Sequence, residues 1–270
     1  VFCDIDNKSL VIDPEELEKT ITPRTKAILP VHLFGQPADM SVIKEIAALH
    51  HLFVIEDAAL AVGARYQEQL VGSLGDAGCL SLNSRKILSA FGDGGVVITN
   101  RKDIFDKVRS LRNYGKNNTS VNQNFLGESE FLYEGFNERL DEIQAAVLRV
   151  KLKTLPEMLQ KRASIANRYN NAFRSLPIAI PIPTSNTHHA YRAYTILVDE
   201  NRDALIQHLS KSDIDVATYY TPPLHLQPAY KYLGHKPGDF PITEKVSQTM
   251  LSIPVHPMMT DTEVSYVIRA

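Results

Sequence analysis

The sequence predicts an α/β fold: a large domain with a mostly parallel sheet and helices on both faces, followed by a smaller α+β domain. Three observations carry this reading. Short β-rich runs alternate with amphipathic helical segments through the first half of the chain, as strands joined by crossover helices require. A proline-rich tract, LPIAIPIPTSNTHH from Leu176 to His189, then breaks the alternation and marks a boundary. Finally, 270 residues that are 44% hydrophobic suit one large or two unequal domains with a substantial core. The expected division is residues 1–175 and 176–270.

In order along the chain, VFCDID reads as a strand already under way at Val1, so the chain is expected to lack an N-terminal segment. KAILPVHLF, from Lys26 to Phe34, is the next strand candidate. A helix from about Asp39 to His50 follows, with Ile43, Ile46, Ala47 and His50 at helical spacing. LFVIED, ending at Asp57, closes a βαβ unit. ARYQEQLVGS resembles a hairpin. Two apolar runs, Gly78 to Leu82 and Val96 to Thr99, flank a polar turn that holds Arg85, Lys86, Asp93 and three glycines.

A helix is expected from about Lys102 to Asn113, then an aperiodic loop from Lys116 to Glu134, of a length usually reserved for function or mobility. From Arg139 the pattern is helical, with Leu140, Ile143, Val147 and Val150 on one stripe and Leu148, Leu152 and Leu155 on another. That is more apolar surface than one sheet needs. Pro156 marks a break, and Met158 to Leu176 resumes as helix. Beyond the boundary lie the run AYTILV, a helix Arg202 to Lys211, the run IDVATYY, a helix near Thr243 to Leu251 and a final amphipathic helix in EVSYVIRA.

Composition excludes several functions. Lys plus Arg 29 against Asp plus Glu 31 gives a net charge of -2, which provides no general field for nucleic acid or an anionic membrane. Cys3 and Cys79 are far apart and lack metal spacing, which points to a reducing, cytoplasmic setting. No run approaches the roughly 18 apolar residues of a membrane span. Gly92-Asp93-Gly94-Gly95 lacks the Lys-Ser/Thr pair of a phosphate loop, and no GxGxxG opens a helix after a strand. The pairs His50-His51 and His188-His189 diverge as side chains and make poor joint metal ligands.

What remains is a lysine and an aspartate next to strand ends. Ligands of open α/β sheets bind outside the carboxyl ends of strands, which is where Asp57 falls. A helix cap is the ordinary alternative for Asp57, and a solvated surface charge for Lys86. Pyridoxal phosphate demands a lysine, an acid for its ring nitrogen and donors for its phosphate. Asp57, Lys86 and Ser81 supply these types.

The motifs ITPRTKAILPVHLFGQPADM, LFVIEDAALAVGARY, VGSLGDAGCLSLNSRKILSAFGDGGVVITN, LRNYG, GFNERLDEIQAAVLRVKL and PPLHLQPAYKYLG follow one another in an order that resembles the DegT/DnrJ family of pyridoxal-phosphate sugar aminotransferases, of fold type I. The resemblance covers nearly the whole chain. It implies that Lys86 holds pyridoxal 5'-phosphate as an internal aldimine and moves the proton, while Asp57 pairs with the pyridinium nitrogen and Ser81 donates to the phosphate. It further implies that Asn137 reaches a cofactor phosphate across a homodimer interface, with a helix N-cap as its ordinary role, and that His225 lies near the substrate. The implied reaction passes an amino group from glutamate or glutamine to a keto sugar, nucleotide-linked in the family's manner, for polysaccharide or aminosugar synthesis.

Two departures accompany it. Leu60 replaces a family glutamine expected beside the cofactor ring, and Arg85 replaces a small or hydroxylated residue. They leave open a catalytically impaired regulatory or structural homologue. A sugar dehydratase, in which histidine replaces the lysine, is opposed by Lys86.

Overall fold

The computed structural model describes residues 1–117 and 130–270. The expected strand at VFCDID is reduced to a single bridge between Ile5 and Ile12. Its extension ends because the Asp6 carboxylate accepts hydrogen bonds from the backbone N–H groups of Lys8 and Ser9 and from the Ser9 hydroxyl, closing a turn. Helix α1 (Pro14–Thr20) follows, with Asp13 at its N-cap accepting from the Glu15 N–H.

Strand β1 (Ala27–Ile28) is shorter than the apolar run around it. Pro30 has no N–H to give to a ladder, and buried Phe34, at φ 60, turns the chain away. Helix α2 (Met40–Leu49) matches its expectation: Asp39 caps it through the Val42 N–H, and Met40, Ile43, Ile46 and Ala47 form its buried face. Strand β2 (Phe53–Asp57) returns parallel to β1, completing the βαβ unit. The short hairpin β3 (Arg65–Tyr66) and β4 (Gln69–Leu70) turns through Gln67 and Glu68, both at positive φ.

Strand β5 (Ala77–Ser81) pairs parallel with β2, and β6 (Gly95–Ile98) pairs antiparallel with β5. The sheet order is therefore β1-β2-β5-β6, three parallel strands with one antiparallel edge. Helix α3 (Lys102–Leu111) follows. Most of the loop expected between Lys116 and Glu134 falls at 118–129, outside the described residues.

Helix α4 (Glu142–Leu152) starts three residues later than Arg139, with Asp141 at its N-cap, so Asn137 is not a helix cap. Helix α5 (Leu155–Phe173) carries Pro156 in its first turn, where the missing N–H costs nothing. Strand β7 (Thr187–His188) joins β3. Then come β8 (Tyr194–Leu197), α6 (Arg202–Lys211), α7 (Pro241–Thr249), β9 (Met250–Ile253) and α8 (Asp261–Arg269). Met250 and Leu251, expected to finish a helix, instead open β9, whose four residues are all buried against β8. IDVATYY contributes one bridge, Ala217 to Ser252, rather than a strand.

Two apolar clusters dominate the core. One joins Ile28, Met40, Ile43, Val54, Ala58 and Ile87 beneath the four-stranded sheet. The other joins Ile165, Tyr169 and Phe173 of α5 to Tyr194, Ile196, Leu251 and Val264. Tyr169 is wholly buried, stacks on Phe173 at 5.6 Å between ring centroids, and donates its hydroxyl to the Pro254 carbonyl. Thus α5 begins against the first cluster, through Leu155 and Leu159, and ends inside the second.

Candidate active site

Side chains alternate across a sheet, and at the end of β2 that alternation separates two adjacent carboxylates. Glu56 faces the core with no exposed surface. Its two oxygens accept from His32 Nε2 at 3.0 Å and from the backbone N–H groups of Gly72, Leu74 and Gly75 at 2.6–2.7 Å. His32 Nδ1 accepts from the Ala38 N–H, which places the imidazole proton on Nε2, facing Glu56. Burial alone would raise the Glu56 pKa, but the His32 and backbone hydrogen bonds outweigh it and hold the carboxyl below its ordinary range. The loop that supplies those N–H groups lies so close that a Cβ on Gly78 would meet the Gly72 carbonyl oxygen at 2.0 Å. Only glycine fits there.

Asp57 points the other way. In the parallel register it stands opposite Cys79, and Ser81 follows two residues on, so Asp57, Cys79 and Ser81 share one face at the carboxyl ends of β2 and β5. No helix follows Asp57. Its Oδ1 accepts from the Ala59 N–H in a local turn at 3.0 Å, which leaves Oδ2 without a protein donor among the described residues. Burial and the Asp57 charge together raise the Cys79 thiol pKa, as neighbours on one face would.

Lys86 lies on the connection from β5 to β6. Asn83 organises that connection: its side chain accepts from the Arg85 N–H and donates to Asp93, while its carbonyl accepts the Lys86 N–H. Immediately after the lysine, Ile87 is buried in the first cluster, and Leu88 and Ala90 are buried with Val62, Leu82 and Leu148. These anchors fix the backbone on either side of a half-buried lysine that has no ion pair among the described residues. Its pKa is lowered by burial and then by the Arg192 guanidinium, with the Asp57 carboxylate opposing in part. Lys86 and Asp57 therefore act on each other across the strand ends.

Arg192 is a site residue that sequence reasoning missed. It precedes β8, as a lone cation in the apolar run AYRAYTILV, and that misplaced charge was the available signal. Its guanidinium also acts on Tyr220, as does the carboxylate of Asp57. Arg85, the second departure noted in the sequence, is exposed beside Lys86. Both arginines line a cavity of about 790 Å³ together with Arg162, Tyr219, Ser252 and His256.

The remaining expected residues lie apart from this group. Asn137 is exposed, bridges Asn113 and accepts from Arg139 Nε at 3.3 Å. His225 is buried, its Nε2 is 3.0 Å from Glu244, and its ring packs edge-on against Phe240 at 4.7 Å. Among the described residues no hydrogen bond, ion pair or ring contact joins either residue to Lys86 or Asp57. Leu60, the expected departure, is half-buried on the turn after Asp57. No group of His, Cys, Asp and Glu that could hold a metal occurs among the described residues. Nor is any described helix long and apolar enough to cross a membrane.

The donor set fits pyridoxal phosphate: a lysine biased toward its neutral form, a carboxylate with a free oxygen on the neighbouring strand, and a strand-end hydroxyl. Comparison with known proteins agrees with that chemistry. The chain is 40% identical to the erythromycin biosynthesis sensory transduction protein EryC1 of Saccharopolyspora erythraea, over 96% of this chain and 69% of that protein. It is 39% identical to a dTDP-3-amino-3,4,6-trideoxy-alpha-D-glucose transaminase of Streptomyces venezuelae, over 96% and 66%. Among solved structures it is similar to S. venezuelae DesV in complex with a ketimine intermediate, at TM-score 0.92 and 36% identity, covering all of this chain and 70% of that one. The model of the DegT/DnrJ/EryC1/StrS aminotransferase family matches residues 1–270, and the chain, an α/β aminotransferase in fold, belongs to that family.

Proposed function

We propose that this protein transfers an amino group from glutamate or glutamine to a nucleotide-linked keto sugar, with pyridoxal 5'-phosphate held covalently by Lys86. The observation that carries this reading is the Lys86 amine: half-buried, without an ion pair among the described residues, disfavoured in its charged form, and in electrostatic contact with Asp57. When bound, the cofactor would supply an electron sink for the pair left at the substrate carbon. Asp57 would hold the proton of the ring nitrogen through its free oxygen. Ser81 Oγ would donate to the phosphate. Lys86 Nζ, when neutral, would accept the proton from the donor's α-carbon, a task closed to an ammonium.

Asn137 would serve the site of a second copy in a homodimer. The exposed apolar side chains of Phe136, Ile143 and Val150 support this, since they crowd the segment that carries it. In this reading the cofactor unit runs to about Ser175 and a smaller unit from about Leu176, with His225 near the sugar.

A regulatory reading has one specific support, the sensory transduction name carried by EryC1. The test separates the two. Borohydride reduction of the full-length protein with pyridoxal phosphate, followed by peptide mapping, should label Lys86, and Lys86→Ala should abolish both label and transamination. A pyridoxyl label on another lysine overturns the assignment. A label on Lys86 without conversion by any amino donor favours the regulatory reading.

A further inference from the structure

Four arginines line the 790 Å³ cavity, and they differ in how their charges are satisfied. Arg162 is buried and donates through one nitrogen to the carbonyls of Tyr191 and Val255, at 2.9 and 2.6 Å. It braces two stretches of cavity wall, one of them the residue before Arg192. Arg85, on the lysine loop, and Arg269, at the end of α8, are exposed. Arg192 lies between these extremes: half-buried, with an Nε that is shielded and partnerless like that of Arg162, but with no carbonyl on its other nitrogens and no ion pair among the described residues. The acids that also line the cavity do not neutralise it. Asp213 and Asp215 form no ion pair with it, and Glu263 is engaged in capping α8.

A guanidinium presents a planar fork suited to a carboxylate or phosphate, and leaving its donors unmet in a partly dehydrated wall is costly. A cation held this way is preorganised for an anion that arrives from outside the chain. Two substrate groups in the proposed reaction offer one: the carboxylate of the amino donor and the phosphates of a nucleotide sugar. Arg192 shares its electrostatic neighbourhood with the Lys86 amine and with Asp57. In an amino acid the α-carboxylate is one bond from the carbon that reacts, whereas the phosphates of a nucleotide sugar are set off by part of a sugar ring.

We propose that Arg192 is the docking residue for the α-carboxylate of the amino donor, braced by Arg162 and placed to hold the donor's α-carbon toward Lys86. The proposal rests on the aminotransferase reading, but carboxylate docking can be measured without turnover. Glutarate, which has the carboxylates of glutamate and no amine, serves as the probe of the donor site, and dTDP as the probe of the phosphate site. Binding of each to the full-length protein is followed by calorimetry in wild type, Arg192→Gln and Arg192→Lys, with thermal melts to confirm folding.

The expected result is a loss of at least tenfold in glutarate affinity in Arg192→Gln, partial recovery in Arg192→Lys, and unchanged dTDP binding. Where the enzyme turns over, the KM for the donor should rise in Arg192→Gln while that for the sugar stays. Undetectable glutarate binding to wild type, an unchanged glutarate affinity in Arg192→Gln, or a loss confined to dTDP overturns the assignment. Failure of the aminotransferase reading has a different signature: no pyridoxyl label on Lys86, whatever glutarate does.

Discussion

Glu56 and Asp57 are consecutive carboxylates on one strand, yet they belong to different regions of the molecule. On the core side, Glu56 accepts four hydrogen bonds and has no capacity left. On the open side, Asp57 spends one oxygen on a local turn. The arginines repeat the contrast, since Arg162 donates to two carbonyls whereas Arg192 makes no hydrogen bond or ion pair among the described residues. The difference teaches that burial and charge alone do not identify a functional group. Saturated polar groups build the frame, and the incompletely satisfied ones mark where a ligand completes the network.

The contrast can be broken by exchanging the roles with substitutions. The largest expected effect is on the open side: Asp57→Asn should leave the Lys86 label intact but slow transamination by several orders of magnitude, because a neutral partner no longer holds the ring proton. Stopped-flow kinetics of the half-reaction with glutamate measures it. A modest slowing would place the role of Asp57 elsewhere.

Next in size is the core side. Glu56→Ala leaves His32 and three backbone N–H groups without their acceptor, and should cost about 3–5 kcal/mol of stability in chemical denaturation, as leaving several buried donors unsatisfied does. Acid offers a milder version. The folded pKa of Glu56 lies below its ordinary value of 4.5, so its contribution is fully present above about that pH and is lost as pH falls through the folded value. The acid limb of the stability profile should flatten in Glu56→Gln. An unchanged limb would deny the network its assigned weight.

The smallest effect sharpens the electrostatics between the regions. Burial lowers the Lys86 pKa first and the Arg192 charge second, against Asp57. Removing the cation should therefore move the alkaline limb of Lys86 reactivity upward in pH. The rate of Lys86 modification by an amine-directed reagent in the cofactor-free protein, followed against pH in Arg192→Gln, reads this directly.

Much of this was legible in the sequence where local rules decide. The α2 helix, the end of β2 at Asp57 and the limits of α6 follow from periodicity and polar termini, because neighbours in sequence supply the pattern and, for α2, the cap. Strand β9 was not legible: a short apolar run reads equally as the end of a helix, and only pairing with β8, some 55 residues upstream, decides it. The Lys86 and Asp57 pair was visible through its motifs. Arg192 was not, since its neighbours Lys86 and Asp57 lie more than a hundred residues away in sequence. Nor did the sequence reveal the role of Glu56, whose partners come from His32 on one side and the Gly72 to Gly75 loop on the other.

Helix α5 carries a mechanical consequence. At 19 residues it is a rod about 28 Å long. Near its start Leu159 seats so tightly on Gly63 that a Cβ there would lie 2.4 Å from the leucine methyl carbon Cδ1. Farther along it carries the Arg162 brace, and at its end it forms part of the second core cluster. A continuous helix gripped at both ends is a shaft rather than a hinge: thrust or rotation applied to one end arrives at the other with little absorbed between. Strain introduced at Gly63 would be delivered along this shaft to the wall that holds Arg192.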